Sequence, residues 1–519
     1  MPNPLKLHLI ESVAKPIILH PRDNVAVLTS CSKTGDRPLN IGVPLINSVS
    51  AGHKIARKDI LKGTDILKFG QFIGTATTDI QLGSHVHTHN CEFSNPEKNY
   101  ATGLGLNAAK SAIMDAPPLM FQGYARADGR VGTRNFLVLA STVNCSATVI
   151  KFAASEIEMS GVLDQYKNVD GIVALAHGSG CGMAVSSRGY DILDRVLWGY
   201  ATHPNVGATV FVGLGCEVMQ ITHMQSQFGD EGAERFHALT IQDTGGTRAT
   251  IDAIKAHIMK ILPQVNHFNR TEQPMLALRV ALQCGGSDGF SSITANPALG
   301  FASDLIVAQG GTAILSETPE IYGAEQLLLR RAVSGSVAEK LINQIIWWEG
   351  YVHDNNASMD NNPSPGNKQG GITTILEKSL GAIAKGGTTP LAAVYDYAEK
   401  ITSAGLVFMD TPGYDPVSVT GQIAGGAQIV VFTTGRGSAF GSKPSPTIKI
   451  STSDKLFDKM PDDMDFNAGD IISKEISIAT KGQEIFDLIR AVASGQETKS
   501  EAIGLGGNEF VPWQVGAVM

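Results

Sequence analysis

Residues 135–145 read NFLVLASTVNC, an unbroken apolar run that ends in small and polar residues. Similar runs recur along the chain between stretches long enough for helices, among them GIVALAHGSGC, ATVFVGLGC, MLALRVALQCGG and IVVFTTGRG. Strands that are apolar on both faces and alternate with helices are typical of parallel sheets covered by helices. The pattern predicts an α/β region with mostly parallel, Rossmann-like sheets, in two halves that meet near residues 265–275.

The N-terminal part of the chain has a different pattern. Short β-type runs such as NVAVLTS and ILKFGQFIGTAT are broken by Gly and Asp, with almost no helical periodicity. A segment rich in Pro, Asn and Gly follows. We therefore expect a multidomain protein, with a small all-β domain over 1–93, a linker over 94–118, a first α/β domain over 119–268 and a C-terminal α/β domain over 269–519.

Composition excludes several classes of partner. The net charge of the 519-residue chain is −8, from 41 Lys and Arg against 49 Asp and Glu, and no basic run suggests a nucleic-acid partner. No apolar run approaches the roughly 18 residues of a membrane-spanning helix, and the N-terminus lacks the basic and apolar regions of a signal peptide. We expect a cytoplasmic protein with no membrane contact, whose six cysteines are reduced thiols or metal ligands.

Four cysteines follow predicted strands. The carboxyl ends of parallel strands meet at one edge of a sheet, where ligand sites lie. Each cysteine taken alone is better explained by burial as a small apolar side chain, and no CxxC pair is present. Their shared position makes them candidate metal ligands: Cys145, Cys181, Cys216 and Cys284.

The stretch GSHVHTHN, residues 83–90, places three histidines at alternate positions. In an extended segment the side chains of His85, His87 and His89 share one face. Three imidazoles on one face can bind a metal or exchange protons near neutral pH. The alternative is a set of exposed histidines that bind nothing.

Polar loops supply candidate substrate contacts. The glycines of TTGRGSAFG do not match the dinucleotide pattern GxGxxG, so this loop is not interpreted as a nucleotide site. We interpret Arg436 in it as a residue that binds a carboxylate through its guanidinium group. The alternative is an arginine in a tight surface turn. Two further loops, CGGSDGFSSITANP and NNPSPGNKQGGITTILEKSLG, follow the same logic, with tight turns and helix caps as the alternative. They contribute Ser287, Asn296 and Asn367 as candidate substrate-binding residues.

Several of these motifs, taken in order, resemble one known family. HVHTHN, GYARADGRVGTRN, LGCE, QCGGSDGFSSITANP, TPEIYGAEQLL, NPSPGNKQGGITT and TTGRG are similar to the altronate and galactarate dehydratases over nearly the whole chain. HVHTHN and EQLL resemble the altronate branch more closely. The resemblance implies an N-terminal β-clip domain of the SAF type, a linker and an α/β catalytic region that requires iron or another divalent metal.

The resemblance also implies a reaction. A dehydratase of this family removes a proton beside the carboxylate of an altronate-like aldonate or galactarate-like aldarate and expels hydroxide, giving a 2-keto-3-deoxy acid. Such chemistry needs charge stabilisation and proton transfer. We assign these roles to six candidate catalytic residues: His87, His89, His177, Asp288, Glu317 and Lys368.

Two metal arrangements and three functions remain open at this point. His85 and His87 can bind Fe²⁺, with Mn²⁺ as an alternative, or the strand-end cysteines can hold an iron–sulfur cluster. Alternative functions are a sulfo-lyase acting on a sulfonated hydroxy acid such as sulfolactate, and a non-catalytic protein that binds sugar acids or metals. A nicotinamide-dependent oxidoreductase lacks its fingerprint. The expected partner is a sugar acid, and the expected oligomer is a homodimer.

Overall fold

The N-terminal domain is built from two small antiparallel sheets. The computed structural model describes residues 15–38, 41–95, 98, 100–228, 235–516 and 518, so residues 1–14, including most of the N-terminus interpreted above, lie outside it. The strands are β1 (Pro16–Ile17), β2 (Val25–Leu28), β3 (Lys54–Ala56), β4 (Asp65–Lys68), β5 (Gln71–Ala76), β6 (His85–Val86) and β7 (Cys91–Glu92). One sheet has the order β1-β2-β3-β6 and the other β4-β5-β7. This confirms the prediction of an all-β N-terminal domain.

The segment predicted as a linker runs along the C-terminal region and contains one short helix, α1 (Leu106–Ser111). The Tyr100 hydroxyl donates to Glu325 Oε1 (2.9 Å), and the Gly103 and Gly105 amides donate to the carbonyls of Leu329 (3.0 Å) and Arg330 (2.7 Å). These contacts fix the path of the chain between the N-terminal domain and the α/β region.

The first α/β unit contains a parallel sheet of order β11-β10-β12-β13. The strands of the whole unit are β8 (Met120–Ala125), β9 (Val131–Gly132), β10 (Phe136–Ser141), β11 (Gly171–Leu175), β12 (Val206–Gly213) and β13 (Phe236–Thr240). Its helices are α2 (Asn144–Met159), α3 (Arg188–Ala201), α4 (Ile221–Ser226), α5 (Ile241–Thr244) and α6 (Thr247–Asn266). Leu137 and Leu139 of β10 pack with α2 and α6, whereas Val138 packs with α3 on the opposite face. Helices on both faces explain why β10 is apolar throughout.

A three-stranded antiparallel sheet connects the two α/β units. Strand β14 (Arg270–Pro274) begins just after the predicted domain boundary and pairs with β8, giving the order β14-β8-β9. The predicted boundary between the α/β domains, 268/269, stays a prediction.

The C-terminal unit contains a seven-stranded parallel sheet of order β17-β18-β16-β15-β19-β20-β21. The strands are β15 (Arg279–Cys284), β16 (Thr312–Ser316), β17 (Leu391–Tyr395), β18 (Gly405–Met409), β19 (Ile429–Thr434), β20 (Thr447–Ser451) and β21 (Phe466–Asn467). The helices are α7 (Ala295–Ala308), α8 (Gln326–Leu329), α9 (Gly335–Asp354), α10 (Pro365–Gln369), α11 (Ile375–Ile383), α12 (Asp415–Ala424), α13 (Asp454–Lys459), α14 (Asp470–Ser473), α15 (Ile478–Ala493) and α16 (Lys499–Ala502). The predicted α/β class is confirmed. Within the described ranges, none of the helices has the length and apolar character needed to cross a membrane.

Candidate active site

The strand order of the C-terminal sheet identifies where a ligand can bind. β15 lies between β16 on one side and β19 on the other, so the chain changes direction across the sheet at β15. Ligand sites in such sheets lie beyond the carboxyl ends of the strands at this switch point. There the loop after β19 is held against the loop after β15, because the Gly435 and Arg436 amides donate to the Gly286 carbonyl (3.1 and 2.8 Å).

The N-terminal domain packs onto this edge of the C-terminal sheet through a buried ion cluster. Lys54 Nζ lies 2.8 Å from Glu377 Oε2 and donates to the Gly371 carbonyl (2.7 Å), and Lys68 Nζ lies 2.9 Å from Glu377 Oε1. The three charged side chains are 0–2% exposed. Thr374 caps helix α11 by accepting from the Glu377 amide (3.4 Å) and also donates to the Ile73 carbonyl (2.5 Å), which joins the same two domains.

Glu377 is ionised despite its burial. Burial alone would raise the pKa of its carboxyl, but the charges of Lys54 and Lys68 and their hydrogen bonds hold that pKa far below its ordinary value. One carboxylate between two lysine side chains therefore holds the N-terminal domain in place. The interface has two cationic side chains for one anionic side chain.

Four histidines gather beside this ion cluster. The nitrogen atoms that His53, His85 and His87 can offer a metal all lie within 4.8 Å of one another. His53 Nδ1 lies 3.1 Å from His85 Nε2, and the His89 ring lies 5.4 Å from that of His85, tilted by 44°. The predicted extended segment is a strand only at His85 and Val86, and residues 87–90 form a turn. The turn still directs the rings toward each other.

The electrostatics of this histidine cluster suit a metal ion. Burial, reinforced by the neighbouring imidazoles, lowers the pKa of His85 to about 3, and burial together with Lys54 lowers that of His87 to about 4. Both imidazoles are therefore neutral near pH 7 with lone pairs available, and neutral imidazole is a common ligand of divalent metals. The Nδ1 atom of His87 is buried, and no described residue forms a hydrogen bond with it. His53, His85 and His87 thus fit a divalent metal.

A cleft of about 610 Å³ opens next to the histidine cluster, between the N-terminal domain and the C-terminal sheet. Gln369 separates the two features, because its carbonyl lies 3.1 Å from His53 Nε2 and its side-chain oxygen accepts from Arg436 Nη2 (2.7 Å). Arg436, Lys455 and Lys459 line the cleft. Asp288 and Asp454 line the same cleft, which leaves one cation in excess, and the Arg436 guanidinium is the group whose geometry suits a carboxylate ligand.

Beneath the cleft lies a second, fully buried cluster of ionisable groups at the ends of β15 and β16. Lys385 Nζ lies 2.9 Å from Cys284 Sγ and 3.7 Å from Glu317 Oε2. Glu320 pairs with Lys378 (2.8 Å) and approaches the thiol of Cys284 (3.7 Å). We call this set, with Asp415, the inner acid cluster.

Burial raises the pKa of two carboxyls in the inner acid cluster. Burial, with the nearby charge of Glu320, raises the pKa of Glu317 well above its ordinary value, and the same two causes raise that of Asp415 to about 7. Glu317 also has a positive φ of 71°, a conformation that is costly for a non-glycine residue and concentrates at functional sites. A carboxyl protonated near neutral pH can act as a general acid.

A small cavity of about 10 Å³ lies between the ion cluster and the inner acid cluster. Lys68, Cys284, Glu377 and Lys378 line it, together with Ser287, whose buried hydroxyl has no hydrogen-bond partner in the described part of the chain. The two clusters are therefore neighbours, and Ser287 is free to contact a ligand or a water molecule.

Other predicted site residues in the C-terminal unit have partners that build the loops. Asn296 bridges the Gly381 carbonyl (2.9 Å) and the Thr433 hydroxyl (2.6 Å). Asn367 donates to the Ser287 carbonyl (2.9 Å), Asp288 Oδ1 accepts from the amide and hydroxyl of Ser291 while the residue lines the cleft, and Lys368 lies half-buried in α10.

The remaining candidates lie in the first α/β unit. His177 is buried, with Nε2 2.9 Å from the Ser141 carbonyl and Nδ1 accepting from the Ser179 amide (3.2 Å), so both ring nitrogens are engaged. Cys145, Cys181 and Cys216 are exposed at the carboxyl edge of the first parallel sheet. Cys284 lies in a different sheet, at the end of β15 in the C-terminal unit.

The sequence interpretation missed His53 and four members of the inner acid cluster, Glu320, Lys378, Lys385 and Asp415. His53 precedes β3, which pairs with β6 so that Ile55 lies opposite His85. The pairing of two strands that are distant in sequence brings His53 to the triplet, and the GHK stretch at 52–54 was the available signal.

Neutral imidazoles lie beside a cleft lined by Arg436, Lys455 and Lys459, with buried carboxyls of raised pKa nearby, an arrangement suited to acid–base chemistry on an anionic ligand. Comparison with known proteins identifies the family. Models of three domains match in order: the "Altronate/galactarate dehydratase SAF domain" at 14–94, the "D-galactarate dehydratase/Altronate hydrolase, second domain" at 123–266 and the "D-galactarate/Altronate dehydratase, C-terminal" domain at 275–518. The chain belongs to the altronate and galactarate dehydratase family and is a lyase of the hydro-lyase class.

Individual relatives agree with this assignment. The chain is 33% identical to altronate dehydratase of Bacillus subtilis, over 93% of this chain and 96% of the relative. It is 36% identical to galactarate dehydratase (L-threo-forming) of Escherichia coli, over 94% and 95%. It is 28% identical to (2R)-sulfolactate sulfo-lyase subunit beta of Chromohalobacter salexigens, over 75% and 96%. The family prediction is confirmed, and the preference for the altronate branch stays a prediction.

Proposed function

We propose that this lyase dehydrates a sugar acid, an altronate-like aldonate or a galactarate-like aldarate, to a 2-keto-3-deoxy acid, with a divalent metal at the histidine cluster. The observation that carries the proposal is the position of His53, His85 and His87 beside a cleft whose wall contains Arg436. When bound, Fe²⁺, or alternatively Mn²⁺, supplies a Lewis acid for charge that develops on the substrate oxygens.

Residues of the chain are assigned to substrate binding and to proton transfer. Arg436 binds the carboxylate and orients the substrate, and Lys368 adds a cation nearby. His89, exposed at the rim of the histidine cluster, is the candidate base for the proton beside the carboxylate. Glu317, whose carboxyl pKa is raised by burial, is the candidate acid for the leaving hydroxyl, acting through the inner acid cluster because its own side chain is fully buried.

The test is an anaerobic screen of aldonic and aldaric acids with the metal-stripped chain and added Fe²⁺. We expect 2-keto acid to form from at least one sugar acid, to stop on chelation and to return when Fe²⁺ is restored. Full turnover by metal-stripped protein contradicts the metal role. Absence of product from every acid with iron-loaded protein contradicts the proposed reaction.

A second candidate reaction is the release of sulfite from a sulfonated hydroxy acid. The similarity to a sulfolactate sulfo-lyase subunit favours it, at lower identity than the dehydratases. Including (2R)-sulfolactate in the screen, with sulfite as the measured product, separates the two reactions. The expected homodimer stays a prediction that light scattering on the same preparation checks.

Arg436→Ala is expected to raise KM for the sugar acid by at least about tenfold with a smaller effect on kcat, because a guanidinium that binds the carboxylate acts in ground and transition states alike. Steady-state kinetics measure the change. Arg248→Ala is the matched control, since Arg248 is an exposed arginine paired with Glu156 in the first α/β unit and is expected to leave KM unchanged. An unchanged KM in Arg436→Ala contradicts the assignment.

A further inference from the structure

Three exposed cysteines meet at the carboxyl edge of the first parallel sheet, away from the candidate active site. Cys145 lies in the first turn of α2, directly after β10, while Cys181 follows β11 and Cys216 follows β12. The strand order β11-β10-β12 makes these three strand ends neighbours. The chain changes direction across the sheet at β10, which is the position where open α/β sheets bind ligands.

Hydrogen bonds join the three loops that carry these cysteines. The Asn144 amide donates to the Ser179 carbonyl (3.0 Å), and the Gly180 carbonyl accepts from the Val218 and Met219 amides (3.0 Å each). Each cysteine therefore lies within two residues of a hydrogen bond between loops. The loops form one connected surface, with the three cysteines gathered on it.

Glycine makes this close approach possible. Gly180, directly before Cys181, has a φ of +100°, and a Cβ atom there would lie 2.1 Å from the Thr142 carbonyl oxygen. Gly215, directly before Cys216, has a φ of +128°. A side chain at Gly180 would push apart the loops after β10 and β11, so the glycine keeps Cys145 and Cys181 on neighbouring segments.

The thiolate ligands limit the kind of metal centre that this surface can bind. Thiolates select zinc, copper(I) or iron–sulfur clusters. A single zinc ion about 2.3 Å from each sulfur would hold three sulfurs within about 4.6 Å of one another. Among the described residues, two sets of metal-binding side chains have donor atoms within 4.8 Å of one another. They are the histidine cluster and the set Cys284, Glu317 and Glu320. The three thiols are thus spaced more widely than a single ion requires.

We propose that Cys145, Cys181 and Cys216 bind an iron–sulfur cluster of the four-iron class through three thiolates. Such clusters are usually held by four cysteines, so a set of three leaves one iron open to solvent or to a small oxygen ligand. Cys284 does not supply the fourth thiolate, because it is buried in the other parallel sheet between Lys385 and Glu320. This centre is separate from the metal at the histidine cluster and does not depend on the proposed function.

The test is anaerobic reconstitution of the full chain with iron salts, sulfide and dithiothreitol. We expect about four sulfide per chain and about four iron in addition to the iron bound at the histidine cluster, with the broad visible absorption of sulfide-to-iron charge transfer. Cys145→Ser, Cys181→Ser and Cys216→Ser are each expected to lower the sulfide content by at least about tenfold, because serine is a poor soft ligand. Cys31→Ser, at an exposed cysteine of the N-terminal domain, is the matched control and keeps the cluster.

A second measurement remains valid if a serine variant fails to fold. In the wild-type chain the three thiols react with iodoacetamide before reconstitution and are protected after it. Unchanged reactivity, iron uptake without sulfide, zinc binding alone or a disulfide between two of the thiols overturns the proposal. The His87→Ala variant is expected to keep its sulfide, so failure of the histidine site is distinguishable from failure of the cysteine site.

Discussion

The His87→Ala variant is expected to lose the divalent metal and to turn over sugar acid at least about a hundredfold more slowly than the wild type, a loss of about 2.7 kcal/mol of transition-state stabilisation. His87 is central to the histidine cluster, with its ring 5.0 Å from that of His53 and 5.4 Å from that of His85. Removing one of three ligands weakens both metal binding and charge stabilisation. Metal analysis after gel filtration and steady-state kinetics with added Fe²⁺ measure the two losses.

The control for His87→Ala is His267→Ala, at an exposed histidine of the first α/β unit that is expected to change neither quantity. The melting temperature of His87→Ala is expected to stay close to that of the wild type, because the ring is only half-buried and its Nδ1 atom has no described partner. Wild-type turnover with bound metal in His87→Ala would remove the histidine cluster from the mechanism.

The parallel sheets were predictable because their strands are buried on both faces. Phe136–Ser141 and Arg279–Cys284 are apolar almost throughout, and a local pattern is enough to indicate such strands. The same logic placed Cys284 at the carboxyl edge of the sheet, where the structure also brings Glu317, because Cys284 ends β15 and Glu317 follows the adjacent strand β16. The position of a residue at the end of a strand, together with the parallel topology, was therefore enough to predict that it lies at this edge of the sheet.

The rest of the site depends on contacts between domains. Lys54 and Glu377 are separated by 323 positions and meet only because the N-terminal domain packs on helix α11. Burial and the neighbouring charges then set the pKa values, so that the pKa of Glu377 lies far below its ordinary value while that of Glu317 lies well above it, although both are glutamates inside the protein. No local pattern distinguishes the two residues, because each has two lysines nearby and the difference is that Glu317 also lies close to the carboxyls of Glu320 and Asp415.

Glu377→Gln is expected to destabilise the protein by about 3–5 kcal/mol, the usual cost of breaking a buried ion pair by removing one partner. The amide keeps the shape of the side chain but leaves Lys54 and Lys68 without a counter-ion at an interface where both are buried. Differential scanning calorimetry of the full chain measures the loss as a lower transition temperature. Activity is expected to fall as well, because the same contact holds the histidines beside the cleft.

Two matched comparisons isolate the charge effect in Glu377→Gln. Lys15 and Glu475 form an exposed ion pair between the same two parts of the chain, and Glu475→Gln is expected to leave the transition temperature unchanged because solvent screens that pair. Adding Lys54→Met to Glu377→Gln removes one of the unpaired charges and is expected to restore part of the lost stability. If the double variant is less stable than Glu377→Gln, packing rather than charge holds the domains together, and the ion cluster loses its assigned role.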